Sequence, residues 1–447
     1  MQRTFKSREL AAALAILLAG VGSTQAQTKR DCGGQDKHLW VAACTIIIDD
    51  PHTHPKARIK ALKFRGAAHH FQGELDAAIT DFSAILAIDP NDYEALSDRG
   101  LAYQAKGQSD LALADDYKAI TVNPKFAFAY FNRGIVEESK GDLAKARHDY
   151  DEAIRLKPEF PGFYKKRSQL RLREDDVDGA VADANAGIAI TDSDPDLFIT
   201  RANAYRRQRA LDKARADYES ALRLEPNASA PYVGRGNVRA MQGDFDGALA
   251  DYDAAIKLNP KDAGAYLNRA TAQSEKGDYT GAAVTSDATV RQWPNDANLY
   301  ANRGFTRFAA GDFAGATADF QRAGKDVPTN AYVPLWRYLA QARIGGDKDT
   351  AVLARDFANV DQSAWPAAVY ALYLGKGTPD AVRVAAAAGD PAGKAERECE
   401  AAFYLGEFAL LNGKRDEAAP LLHEAGDKCP VGFTERYAAR GELTRVP

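Results

Sequence analysis

Four cysteines and two methionines in 447 residues are too few for a thiol-rich metal protein, and no Cys-x-x-Cys unit occurs. Basic excess is missing too. Lys plus Arg number 58 against 62 Asp plus Glu, a net charge of -4, so the chain lacks the cationic footprint that nucleic acid demands. Its most apolar stretch, Leu10–Val21, has twelve residues, whereas a membrane-spanning helix needs about 20. No His-Glu-x-x-His or Gly-x-Ser-x-Gly occurs, and Gly375-Lys376-Gly377-Thr378 lacks the full spacing of a phosphate loop. Four of the seven histidines, His52, His54, His69 and His70, lie close together, but no Cys or carboxylate spacing completes a ligand set around them. Asp and Glu are scattered over helix faces, so no acid-base pair stands out. Catalytic residues, metal and cofactor are therefore not expected. With 45% hydrophobic and 27% charged residues, what remains is an ordinary core-forming chain.

The first 26 residues read as a secretory signal peptide. Arg3, Lys6 and Arg8 precede the apolar run, and Ser23-Thr24-Gln25-Ala26 offers small residues for cleavage after Ala26. Leu18-Ala19-Gly20-Val21 is similar to a bacterial lipobox with valine in place of the lipidated cysteine, so no membrane anchor is expected. The expected location is the periplasm. In an oxidising compartment four cysteines favour two disulfides.

Prolines at 90, 124, 158, 226, 260, 294 and 328 recur at 34 residues or twice that. An aromatic or aliphatic series keeps the same step at Leu62, Leu96, Tyr130, Tyr164, Phe198, Tyr232, Tyr266 and Tyr300. So do small residues four positions later and a ladder of alanines from Ala78 to Ala316. Such a period marks a fold of stacked units. Large residue, small residue, second small residue, aromatic and closing proline together resemble the tetratricopeptide repeat. The resemblance implies an all-α, right-handed superhelical solenoid of antiparallel helix pairs, with eight repeats over 57–328. Within each unit the small residue admits a neighbouring helix, and Gly107, Gly141, Gly243, Gly277 and Gly311 close the first helix. Unit four departs most, with Ser168, Asp175, Ala184 and Asp192 in the motif slots, which suggests looser packing. In unit two Asp116 takes the aromatic slot and Tyr117 falls one residue late.

Arginines at 65, 99, 133, 167, 201, 235, 269 and 303 share the period, as do aspartates at 81, 115, 149, 183, 217, 251 and 319, broken at Thr285. Arg and Asp sit at equal distance from the hairpin turn. They read as ion pairs between helices, Arg99 with Asp115, Arg133 with Asp149 and Arg235 with Asp251, rather than as an electropositive stripe.

Around the array, 27–56 reads as an N-terminal segment, 329–398 as a divergent helical region and 399–447 as a terminal repeat with a capping helix. A solenoid holds its ends apart, which leaves the pairs Cys32–Cys44 and Cys399–Cys429; the second staples the two ends of the terminal hairpin. Ala401-Ala402-Phe403-Tyr404-Leu405-Gly406-Glu407, Leu411-Asn412-Gly413, Phe433, Glu435 and Glu442-Leu443 look like the C-terminal region of NlpI-type periplasmic repeat proteins. That resemblance implies an adaptor, commonly a homodimer, that docks envelope proteases and peptidoglycan enzymes.

Without a catalytic set, function is sought on a surface. The groove-facing positions expected from the repeat are Phe128, Phe131 and Ile135, then Lys165 and Gln169, then Asn203, Arg206 and Asn237. Apolar groups beside amides and cations suit an extended peptide. The expected function is a non-enzymatic scaffold for proteins or peptides, with a polysaccharide or small-ligand binder and a cell-wall hydrolase as alternatives.

Overall fold

A computed structural model describes residues 32–34, 37–326, 331–345 and 350–446. The proposed signal peptide lies outside them. Every regular element among the described residues is helical, and the chain divides into two units at Asp192.

Unit one opens with Trp40–Asp49, tied by the Cys32–Cys44 disulfide, and continues as four hairpins. These pair Pro55–Phe71 with Leu75–Ile88, Tyr93–Ala105 with Ser109–Val122, Ala127–Ser139 with Leu143–Leu156, and Pro161–Arg173 with Val177–Ile190. Unit two holds repeats five to eight: Pro195–Arg207 with Leu211–Leu224, Ser229–Met241 with Phe245–Leu258, Ala263–Lys276 with Tyr279–Gln292, and Ala297–Ala310 with Phe313–Asp326. Tyr332–Arg343, Thr350–Phe357, Ala367–Tyr373 and Pro379–Ala387 follow, then the hairpin Lys394–Leu411 with Arg415–Lys428, and finally Thr434–Leu443. The terminal hairpin thus begins five residues before Cys399. Cys399 still bonds Cys429 across it.

In four of the eight repeat hairpins a glycine followed by an aspartate makes the turn. At Gly141-Asp142, Gly243-Asp244 and Gly277-Asp278 the glycine takes a positive φ that ends the first helix. The aspartate then accepts a hydrogen bond from the backbone N–H three residues on, Lys145, Gly247 and Gly281 respectively, capping the second helix. Such a cap is worth about 1 kcal/mol. Asp175 and Arg209 hold the same left-handed conformation without being glycine, at φ 62° and 58°. The departure at Asp175 was visible in the sequence pattern; the one at Arg209 was not.

The helices of a hairpin meet where a ring lies on a bare backbone. A Cβ on Gly134 would fall 2.7 Å from the Tyr150 ring, and one on Gly304 2.7 Å from Phe320. Both rings are fully buried. Each such burial contributes about 1.5–3 kcal/mol, which a bulkier residue in the glycine slot would forfeit. Repeat four keeps its hairpin by other means, since the Ser168 hydroxyl donates to the Ala180 carbonyl at 2.7 Å and Ala184 is fully buried in the ring slot.

Repeat two is the exception in kind. Asp116 points inward to the notch at Gly100 and is fully buried, while Tyr117 turns outward and the Arg133 guanidinium stacks on it at 4.6 Å. Desolvation, then the charge of Asp115, raise the Asp116 pKa well above the carboxylate range. The folded chain therefore holds a proton that the unfolded chain releases, so this site contributes its stability in acid and loses it as pH rises. Asp116→Asn, which needs no proton, is expected to raise the melting temperature at pH 7, by roughly 2 kcal/mol in stability. Calorimetry across pH should show the gain growing toward pH 9 and vanishing below pH 4.

Candidate functional site

The arginine and aspartate ladder is a set of forked ion pairs inside the hairpins. Arg99 meets Asp115 at 2.7 and 2.8 Å, Arg133 meets Asp149 at 2.8 and 2.7 Å, and Arg235 meets Asp251 at 3.0 and 2.6 Å. The aspartates are buried and the arginine heads partly exposed. Many of these arginines also reach back to the preceding repeat: Arg99 to Ser83, Arg167 to Asp151, and Arg303 to Asp287. Where Thr285 interrupts the aspartates, Arg269 turns to Asp253 of the preceding repeat at 2.9 Å. Each guanidinium is consumed within or between repeats. The ladder is thus a structural seam, its charges engaged by other residues of the chain.

Phe128 and Phe131 are half-buried between repeats three and four rather than standing free. Phe128 packs edge-on against Phe160 and Phe163 at 5.1 and 5.5 Å, and Phe131 lies 4.8 Å from Phe163. Ile135 joins the neighbouring cluster around Tyr150 and Leu170. Lys165 and Gln169 are half-buried on the first helix of repeat four.

In unit two the amides are held by design of the repeat. The Tyr218 hydroxyl donates to the Asn203 side-chain oxygen, and Tyr252 does the same to Asn237, both at 2.8 Å. An amide whose oxygen is taken presents its N–H groups to whatever lies beyond. Arg206 stands beside Tyr218 and opposes the rise that desolvation causes in that phenol's pKa. Next to Asn237 lies a recess of about 170 Å³, lined by Ala240, Met241, Phe245, Asn268, Thr271 and Val431 among others. Asn268 and Thr271 were not selected from the sequence, although they fall one period after Gly234 and Asn237.

The far wall of that recess comes from the end of the chain. Gly432 N–H donates to Glu275 at 2.7 Å, and Arg436 reaches the same carboxylate at 3.1 Å. A Cβ on Gly441 would lie 2.3 Å from the Ala309 carbonyl oxygen, so Thr434–Leu443 rests directly on the backbone of repeat eight. This helix, expected from the sequence as a cap, packs against the terminal hairpin. In the structure it folds back over the first helices of repeats seven and eight. No group of three or more His, Cys, Asp or Glu suited to a metal ion occurs among the described residues, and no described helix is long and apolar enough to cross a membrane.

A family model described as tetratricopeptide repeat matches residues 127–160 and 195–228, and one described as TPR repeat matches 236–277. The chain carries tetratricopeptide repeats. Among solved structures it is similar to a tetratricopeptide repeat protein from Parabacteroides merdae, at 19% identity over 56% of this chain and 98% of that one, TM-score 0.46. It is also similar to pilF of Pseudomonas aeruginosa, at 16% identity over 46% and 93%, TM-score 0.42. A third is YrrB, a repeat protein described as having an unusual peptide-binding site, at 17% identity over 41% and 95%, TM-score 0.36. Tetratricopeptide repeats point to a protein-interaction scaffold.

The seam makes a graded prediction. Asp149 relies on Arg133, whereas Asp251 also has Arg239 at 2.9 Å. Arg133→Ala should cost about 3 kcal/mol by stranding a buried carboxylate. Arg235→Ala should cost clearly less, because Arg239 remains; paired thermal melts read the difference.

Proposed function

We propose that the chain is an exported, non-enzymatic adaptor that holds protein partners as extended peptide segments along the first helices of its repeats. One observation carries this reading: the recess beside Asn237, where amide and hydroxyl groups ring an apolar floor of Ala240, Met241 and Phe245. An extended peptide offers alternating main-chain acceptors and side chains, which amide donors and an apolar recess match. The periplasm is the proposed location. Both disulfides together account for all four cysteines, which supports an oxidising compartment, and the N-terminal pattern of Arg3, Lys6, Arg8 and Ala26 supports export. The proposed partners are envelope enzymes.

The test uses a substitution that the tyrosines tolerate. Asn203→Asp with Asn237→Asp keeps an acceptor for Tyr218 and Tyr252 but removes the amide donors. Capture from envelope extracts should recover a partner with the wild-type chain and lose at least about 90% of it with the double variant, at an unchanged melting temperature. Equal recovery by both forms, or turnover of peptidoglycan by the purified chain, would overturn the proposal.

A further inference from the structure

The tail covers groove surface, and it does so with buried acids. Glu275 and Ala309 stand one and two periods after Met241, which lines the recess beside Asn237. The face under Thr434–Leu443 is therefore the continuation of the proposed groove into repeats seven and eight. Tyr437, Ala438 and Ala439 are buried there, and beyond the helix Arg445 donates to the Ala309 carbonyl at 2.9 Å.

Five buried carboxyl groups gather around this contact: Glu275, Glu400, Glu407, Glu435 and Glu442. Their partners are unequal. Glu275 accepts from Gly432 N–H and Arg436, with Arg440 at 3.6 Å and the Tyr279 phenol nearby. Glu407 and Glu442 share Arg343, at 3.2 and 2.8 Å, and Arg445 reaches Glu442 at 2.8 Å. Tyr373 lies within the field of Glu407. Glu400 and Glu435 interact chiefly through neutral donors. Trp365 Nε1 donates to Glu400 at 2.6 Å and the Tyr332 hydroxyl at 3.1 Å, while the Tyr404 hydroxyl donates to Glu435 at 3.2 Å, with Trp336 and Tyr437 beside it. Glu396 adds negative charge near Glu400; Arg397, bonded to the carbonyls of Ala386, Ala388 and Asp390, acts on Glu400 by charge alone. Two acid pairs thus straddle the tail, each pair having one member on Lys394–Leu411 and one on Thr434–Leu443.

We propose that the tail is a proton-dependent strap: protonated Glu407 on Lys394–Leu411 and protonated Glu435 on the tail itself hold it over repeats seven and eight, and deprotonation frees that face to extend the groove. A carboxyl held out of water against a neutral donor, as Glu435 is against Tyr404, or with one oxygen left unbonded, as Glu407 is while the nearby arginines serve Glu442 more closely, retains its proton because ionising there is costly. Burial, then the charge of Glu442, push Glu407 up to about 8; burial, then Glu400, push Glu435 to about 7. Once the tail leaves, water reaches both carboxyls and they return to the usual glutamate range. The docked form therefore carries protons that the released form gives up. Docking is strongest in acid and weakens as pH rises through about 7 and then about 8.

Hydrogen exchange on the full chain at pH 6 and pH 9, corrected for the intrinsic pH dependence of exchange, tests this. Protection of Thr434–Leu443 amides should fall by about 1000-fold at pH 9, while Leu211–Leu224 and Phe245–Leu258 keep theirs. Glu407→Gln with Glu435→Gln, neutral at every pH and matched in shape, should retain tail protection at pH 9. Equal protection of the wild-type tail at both pH values would overturn the proposal. So would an equal loss in the double variant, or a loss shared with repeats five and six. If the double variant does not fold, the wild-type comparison alone decides.

Discussion

Close approach of two helices around a residue with little or no side chain is the constraint on which this chain depends. A ring on the second helix needs a flat seat, and Gly134 under Tyr150 or Gly304 under Phe320 supplies it. The seat fixes the spacing of the hairpin, and that spacing brings an arginine head on the first helix to the aspartate sixteen residues later. The buried aspartates are tolerable because the guanidinium fork satisfies both oxygens. Arginines that also reach the previous hairpin bond successive repeats together, so one periodic residue serves both the unit and the stack.

This allocation separates structure from recognition. Charges that look like a binding stripe in the sequence are spent on the seam, and the large aromatics Phe128 and Phe131 fill the space between repeats three and four. The groups proposed for recognition are smaller polar side chains whose orientation the repeat already controls. Asn203 and Asn237 owe their pose to tyrosines that occupy the ring slot, so the packing that builds the hairpin also aims the amide.

Much of this was legible from residue spacing. The 34-residue period located the hairpins, paired Arg99 with Asp115 and its equivalents in sequence space, and assigned both disulfides, because each relation is local or repeats at fixed distance. Three features escaped that logic. Arg209 takes a left-handed turn that no residue preference announces, and Asp116 with Tyr117 exchange inward and outward roles that spacing left open. The folding back of the tail depends on Glu275 meeting Gly432 and Arg436, a contact made once in the chain and with no period to reveal it. A hint was present in the small residues Ala438 and Gly441, three apart on one helical face, which is the signature of a helix that must lie close to another backbone.

The seat itself can be measured by a double-mutant cycle on Gly134 and Tyr150, read as melting free energies. Gly134→Ala in the wild-type background should destabilise, since its Cβ would meet the ring at 2.7 Å. With Tyr150→Ala already present the same change should be neutral or favourable, because alanine is the better helix former by about 1 kcal/mol. The account predicts a coupling of about 1–3 kcal/mol between the two positions; additive effects would contradict it.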